Sequence, residues 1–234
     1  MNKRQWTGLV KSFLNLFLKS NCPLCQRPAA GEFCPYCHKQ LQRCQLSDPG
    51  RFWHSQQRVF VWGEYGGALK RAIAALKYDG NPQLAKPLGG WLAEAWLSFP
   101  ELAIDNLTVV PIPLHQEKLR ERGFNQAELL AESFCELTGL PLQRHGLERV
   151  KNTQALFALT PQQRQAEMKN ALSLGKDFRR RLPRDRVLLV DDIYTSGTTV
   201  KSAIKILEQS GISVYGTVAL ATPNKSDRSI DFRF

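Results

Sequence analysis

The stretch "VLLVDDIYTSGTTV", residues 187 to 200, constrains this chain more than any other. An unbroken apolar run of this length is what a strand needs when a parallel sheet is covered on both faces. It ends in two adjacent acids, Asp191 and Asp192, and passes through small hydroxyl residues around Gly197. Beyond the turn, Val200, Ala203, Ile204 and Leu207 recur at i, i+3, i+4 and i+7, and Gly211 offers a stop, so a helix follows. A strand leading through such a turn into a helix is one βα unit of an open α/β sheet, where ligands sit outside the carboxyl ends of the strands. The backbone N–H groups of Thr195, Ser196, Gly197, Thr198 and Thr199, their hydroxyls and the helix dipole would cradle an anion there.

The rest of the sequence alternates in the same way. "RVFVWGEY" reads as a strand; "GGALKRAIAALKYDG" reads as a helix with Leu69, Ile73 and Leu76 on one face and Gly80 past its end. A second helix covers "LGGWLAEAWLSF". "LTVVPIPLH" is an apolar strand ending in prolines, and "NQAELLAESFCELTG" a helix that turns Ala127, Leu130, Ala131, Phe134 and Leu137 inward. "TPQQRQAEMKNAL" opens another helix, with Thr160 as N-cap, Pro161 in the first helical position and Gln163 as the capping-box partner. "ISVYGTVAL" closes as a strand. This alternation predicts an α/β domain built on a mostly parallel sheet, and 234 residues suffice for roughly one to two domains.

Six cysteines stand at 22, 25, 34, 37, 44 and 135. The first four form "CPLC" and "CPYC", eight residues apart, and two such turns can aim four thiolates at one tetrahedral zinc ion in a small ribbon or knuckle. Disulfides or an iron–sulfur cluster are the alternatives. Cys44 could exchange into the set, with His38 a weaker candidate, whereas Cys135 falls in an apolar helical pattern and reads as inert core. Four protein ligands leave no open position, so such a zinc is structural.

Net charge is +11, which favours an acidic partner: nucleic acid, an anionic membrane surface or a phosphorylated small molecule. The charge is unevenly spread: "KDFRRRLPRDR" (176 to 186) packs six basic residues into eleven, where Arg179, Arg180 and Arg181 mark a candidate nucleic-acid track, and residues 1 to 50 carry seven basic against two acidic. A solvated face that aids solubility is the plainer reading of such a run. Trp53, Trp62 and Trp91 are candidate stacking platforms for a strand, with burial the commoner fate of such rings. At the N-terminus, Trp6, Leu9, Val10, Phe13, Leu16 and Phe17 recur at helical spacing, while Lys11 and Asn15 interrupt the run and no small-residue cleavage site follows. This is the pattern of an amphipathic helix that docks on a protein or a membrane surface, too short to span a bilayer. The expected location is cytoplasmic, with peripheral attachment at the inner face of the membrane left open, and cysteines there serve metals more often than disulfides.

An acid pair beside a phosphate cradle suits a ligand with vicinal hydroxyls next to a phosphate, which describes a ribose phosphate. A receiver domain begins with a similar strand but needs a far longer stretch than the 42 residues after Asp192. A Walker B strand ends in similar acids, but the chain has no G-x-x-x-x-G-K-[ST] loop. "VLLVDDIYTSGTT" resembles the phosphoribosyl pyrophosphate signature of type I phosphoribosyltransferases. "ALKYDGN", "PIPLHQEKLRERGFNQAELL", "RVKNTQALFALTPQQRQAEMKNAL" and the cysteine pairs, in that setting, make the chain similar to the competence protein ComF family over nearly all of its length after residue 21. One departure is Cys44 with Ser47, where some relatives carry a further cysteine pair.

The resemblance implies a phosphoribosyltransferase-like domain over residues 51 to 225, behind an N-terminal helix (1 to 20) and a zinc module (21 to 50), with a tail at 226 to 234. It implies that Asp191 and Asp192 meet ribose hydroxyls directly or through Mg2+, and that Thr195, Ser196, Gly197, Thr198 and Thr199 hold the 5′-phosphate. His115, Arg120 and Arg122 would face pyrophosphate, Lys77 and Tyr78 would add a cation and a ring, and Lys151 to Arg164 would form a mobile loop with Thr153 and Gln154 as contacts. Acceptor choice would rest with the zinc module and residues 51 to 105. Two functions follow from the resemblance. In one, the chain binds a phosphoribosyl pyrophosphate-type ligand and handles single-stranded DNA beside the DNA-uptake machinery during natural transformation. In the other, it is an active phosphoribosyltransferase on an unidentified base or amine.

Overall fold

The computed structural model describes residues 21–54, 57–151 and 171–223. The expected N-terminal helix, the helix at Thr160 to Gln163, the loop with Thr153 and Gln154 and the C-terminal tail lie outside these residues. Elements in chain order are α1 (Pro35–Gln42), β1 (Val59–Glu64), α2 (Gly67–Tyr78), α3 (Ala85–Leu97), β2 (Leu107–Pro111), α4 (Gln116–Arg122), α5 (Gln126–Thr138), β3 (Leu147–Arg149), β4 (Leu172–Leu174), α6 (Lys176–Arg180), β5 (Arg186–Ile193), α7 (Thr198–Gln209) and β6 (Val214–Thr222).

Four strands form one parallel sheet in the order β1-β6-β5-β2. Because side chains alternate across a strand, β5 feeds two cores at once. Leu188 and Val190 join the larger core with Leu69, Ile73 and Leu76 of α2, Leu88, Leu92 and Trp96 of α3, and Leu130 and Phe134 of α5. Val187 and Leu189 join the other with Val200, Ala203 and Leu207 of α7 and Phe178 of α6. Both faces are therefore covered, which is why the strand reads as an unbroken apolar run. The fold class is α/β, as the alternation predicts.

Helices α3 and α5 approach closely because Gly89 has no side chain: a Cβ there would lie 2.6 Å from the Leu130 carbonyl oxygen and 2.8 Å from Ser133 Cβ. Asn125 caps α5, its Oδ1 accepting from the Ala127 N–H at 3.2 Å while its Nδ2 donates to the Ile112 carbonyl at 3.0 Å, and so ties the helix to the end of β2. Leu137 departs from the expected inward face. It is 52% exposed, because it occupies the last turn of α5 opposite Gly90, which has no side chain to cover it. The short antiparallel pair β3–β4 and helices α4 and α6 complete the second face and the site edge.

The cysteine module leans on the β1 side of the sheet. Leu46 N–H donates to the Trp62 carbonyl at 2.9 Å and Glu64 N–H to the Cys44 carbonyl at 2.8 Å. Trp91 of α3 stacks between the layers, with ring centroids 5.9 Å from Phe33, 5.7 Å from Trp62 and 5.2 Å from His38. Trp53 and Trp62 are fully packed inside, which removes them as stacking platforms; Trp91 is half-buried.

Candidate functional site

The carboxyl end of β5 places the acid pair against the last turn of α2 and the first turn of α5. Asp192 is buried, and its Oδ2 pairs with the Lys77 ammonium; the two side chains are 7% and 15% exposed. Burial alone would raise the Asp192 carboxyl, but the Lys77 charge and hydrogen bonds from Lys77, Asp191 and Gln126 hold it below the usual carboxylate range. Burial likewise opposes the charge on Lys77, and Asp192 more than restores it, leaving the ammonium above its ordinary value. Asp191 goes the other way: burial and the adjoining Asp192 carboxylate push it well up. Its Oδ1 accepts from the Asp192 N–H at 2.8 Å. Like charges side by side in a poorly solvated place separate in this manner.

A second ring of groups surrounds the pair. The Arg122 guanidinium bonds the Gln126 carboxamide and lies 5.3 Å from the centre of the Tyr78 ring, which is 73% exposed. Arg149 is within electrostatic reach of Asp191, and Lys118 of Arg149, Arg122 and Lys77, with Glu121 the one acid beside it. Burial and those neighbouring cations lower the Lys118 ammonium. Four cations thus meet three carboxylates around a single strand end, an arrangement suited to an anion.

After Asp192 the chain turns through Tyr194 and the exposed Thr195 and Ser196 to Gly197, the N-cap of α7, whose φ of +69° is left-handed. No side chain caps this helix, so its first N–H groups face outward. The Ser196 and Thr198 hydroxyls are bonded at 2.9 Å, and Tyr194 O–H donates to Gln57 Oε1 at 2.6 Å directly above Gly197. A Cβ on Gly197 would sit 2.5 Å from that hydroxyl and 2.7 Å from Gln57 Oε1. The loop therefore needs glycine for conformation and for space.

The structure brings together Lys77, Tyr78, Arg122, Asp191 and Asp192, with Thr195 to Thr199 on the adjoining loop. His115 and Arg120 sit on α4, where His115 Nδ1 accepts from the Glu117 N–H at 3.3 Å to cap that helix and Arg120 is exposed. Lys118, Gln126 and Arg149 were not singled out from the sequence. Lys118 and Arg149 fall inside "PIPLHQEKLRERGFNQAELL" and "RVKNTQ", but only the fold shows that Arg149 comes within reach of Asp191 and Lys118 within reach of Lys77. Arg179 is held by Glu148 at 2.5 and 3.1 Å and by the Leu174 carbonyl, while Arg180 and Arg181 are exposed.

The four cysteines of the two short motifs converge, their Sγ atoms all within 4.8 Å of one another. Sulfurs around tetrahedral zinc stand ~3.8 Å apart, from Zn–S bonds of about 2.3 Å, so the cluster fits such an ion. Cys34 caps α1 through its sulfur, and the Cys37 N–H bonded to that sulfur lowers its thiol to about 7. Burial and the neighbouring thiols raise the Cys37 thiol. Cys44 and His38 stay outside: the Cys44 thiol points at the Gln40 and Gly66 carbonyls, and His38 packs edge-on against Trp91. Cys135 packs against the larger core, where burial lifts its thiol to about 12.

No protein-family model matches the chain. Competence protein F of Haemophilus influenzae is 27% identical over 216 residues, covering 85% of this chain and 89% of that protein. Competence protein ComFC of Streptococcus pneumoniae is 28% identical over 208 residues, covering 87% and 86%. The DNA utilization protein YhgH of Escherichia coli K12 is 27% identical over 195 residues, covering 82% and 80%. Among solved structures, adenine phosphoribosyltransferase from Leishmania donovani aligns with a TM-score of 0.35 at 12% identity, over 77% of this chain and 92% of that one. The Trypanosoma brucei adenine phosphoribosyl transferase aligns with a TM-score of 0.38 at 10% identity, over 85% of each. By sequence, the chain is thus similar to competence and DNA-utilization proteins along most of its length.

Proposed function

We propose that this chain, like the ComF competence proteins it resembles, serves DNA uptake in natural transformation, and that its α/β domain binds a phosphoribosyl pyrophosphate-type ligand while a basic face handles single-stranded DNA. The observation that carries the ligand is the acid pair at the end of β5, followed at once by the uncapped N-terminus of α7 and flanked by Lys77, Arg122, Lys118 and Arg149. The carboxylates accept hydrogen bonds from vicinal ribose hydroxyls, the α7 amides and hydroxyls take the 5′-phosphate, and the cations neutralise a pyrophosphate group. For a transfer reaction, that neutralisation is what lowers the barrier to leaving-group departure. A zinc ion on Cys22, Cys25, Cys34 and Cys37 would be structural.

No described helix is long and apolar enough to cross a membrane, and the reading puts the protein on the cytoplasmic side, next to incoming DNA. Transfer to a base or amine acceptor is the second reading, favoured by the exposed Tyr78 ring beside the acids, a surface on which a planar acceptor can stack. Calorimetric titration with phosphoribosyl pyrophosphate tests the ligand: the Asp191→Asn/Asp192→Asn variant, shown folded by circular dichroism, should lose binding. Equal affinity in wild type and variant would sink the assignment. Release of pyrophosphate on adding candidate bases would favour the second reading.

A further inference from the structure

We infer that Lys77 fills the place a divalent cation would take on the acid pair, so that this protein binds its sugar phosphate without a metal bridging Asp191 and Asp192. The inference rests on the sugar-phosphate reading and adds how that site balances its charge. A hard divalent ion needs oxygen ligands whose negative charge is not already spent. Here the Asp192 Oδ2 is engaged by the Lys77 ammonium in a place where both side chains are largely shielded from water. Gln126 lies beside Asp192, and its carboxamide is in turn bound by Arg122. Asp191 gives one oxygen to the Asp192 N–H and lies within reach of Arg149.

The backbone that carries Lys77 is fixed by packing. Lys77 stands in the last turn of α2 directly after the fully buried Leu76, and Ile73 one turn earlier is buried in the same core. A metal ion on Asp192 would have to displace the ammonium from its paired carboxylate oxygen and leave it shielded from water beside a second cation, Lys118. The remaining carboxylate lone pairs suit hydroxyl donors, which ask for no change in charge. Any magnesium that arrives would ride on the ligand's own phosphate oxygens.

Two measurements on the full-length chain test this. Titration with phosphoribosyl pyrophosphate in EDTA and in magnesium should give affinities that differ by less than about tenfold. Electron paramagnetic resonance of added Mn2+ without ligand should show no ion held by the wild-type acid pair. Lys77→Met should weaken metal-free binding by about thirtyfold or more and create a Mn2+ site that Asp192→Asn removes. Binding that appears in magnesium and vanishes in EDTA would overturn the inference, as would a wild-type Mn2+ signal abolished by Asp192→Asn. Absence of binding in both buffers would defeat the sugar-phosphate reading, and the Mn2+ spectra would still decide the place of Lys77.

Discussion

Removing either member of the Lys77–Asp192 pair should be far worse than removing both. The two side chains are 15% and 7% exposed, so the charge left behind in a single variant has little water to turn to. Breaking a buried pair from one side costs about 3–5 kcal/mol, whereas replacing both partners by apolar groups of similar size is often neutral or stabilising. Partial exposure of Lys77 argues for the low end, so Lys77→Met and Asp192→Leu should each lose about 3 kcal/mol. Their combination should stay within about 1 kcal/mol of wild type, a coupling of about 5 kcal/mol between the two sites.

In a domain of this size that is a drop of roughly 6–12 °C in melting temperature for each single variant. Urea unfolding of the four proteins, with zinc held constant, measures the cycle. The pH dependence carries the same sign. The Asp192 carboxyl is held below its ordinary 3.8, so its contribution is full above that value and is lost as pH falls through the folded value. Lys77, held above its ordinary 10.5, keeps its contribution through neutral pH and loses it only at alkaline pH beyond that value. Single variants that each cost under about 1 kcal/mol and simply add would mean the pair is solvated, and the reasoning would fail.

Gly197→Ala should cost about 1–2 kcal/mol for a left-handed residue bearing a Cβ, more once Tyr194 is driven off Gln57, and should weaken phosphoribosyl pyrophosphate binding in calorimetry; unchanged affinity would mean the loop is not the anion site. Cobalt loaded into the full chain should give tetrahedral thiolate absorption bands that Cys34→Ser shifts or abolishes and Cys44→Ala leaves intact; the reverse would redraw the ligand set. Neutralising Arg180 and Arg181 should lower the salt slope of single-stranded DNA binding by about 1.4, and adding Arg179→Gln should change it little, because Glu148 already holds that guanidinium.

Most of the sheet and its helices could be read from the sequence, because β5 is buried on both faces and leaves an unbroken apolar run, while α7 buries one face and leaves a mark at a spacing of 3.6. The short elements left none: α4 has no buried residue, and β3 and β4 run three residues each and pair across a long sequence separation. Leu137 followed the helical period yet stayed exposed, since period tells which residues share a face and not whether the neighbour opposite is a glycine. At the site, Asp191, Asp192 and the glycine turn were legible because they are contiguous. Arg149 and Gln126 were not, because their roles come from the meeting of β3, α5 and β5 in space. Likewise "RRR" reads as one uniform track, while the fold ties one of its three arginines to an acid 31 residues away.

The cysteine module and the acid pair are linked through a single helix. The module is fastened to the β1 edge by the Cys44 and Leu46 backbone bonds, and Arg71 of α2 donates to Gln40 of α1 at 3.1 Å. The same helix ends in Lys77 and Tyr78, so the register of α2 against the sheet decides where the ammonium meets Asp192. Leu69, Ile73 and Leu76 fix that register from the core side; Gln40 of α1 and the Cys44 thiol, which points at the Gly66 carbonyl just before α2, hold it from outside. A metal that orders Cys34 at the start of α1 would therefore act at a distance on the proposed sugar-phosphate site, through packing alone and without touching the ligand. That would give a metal with no open coordination position a physical role in front of a domain proposed to bind its ligand at the opposite end of α2.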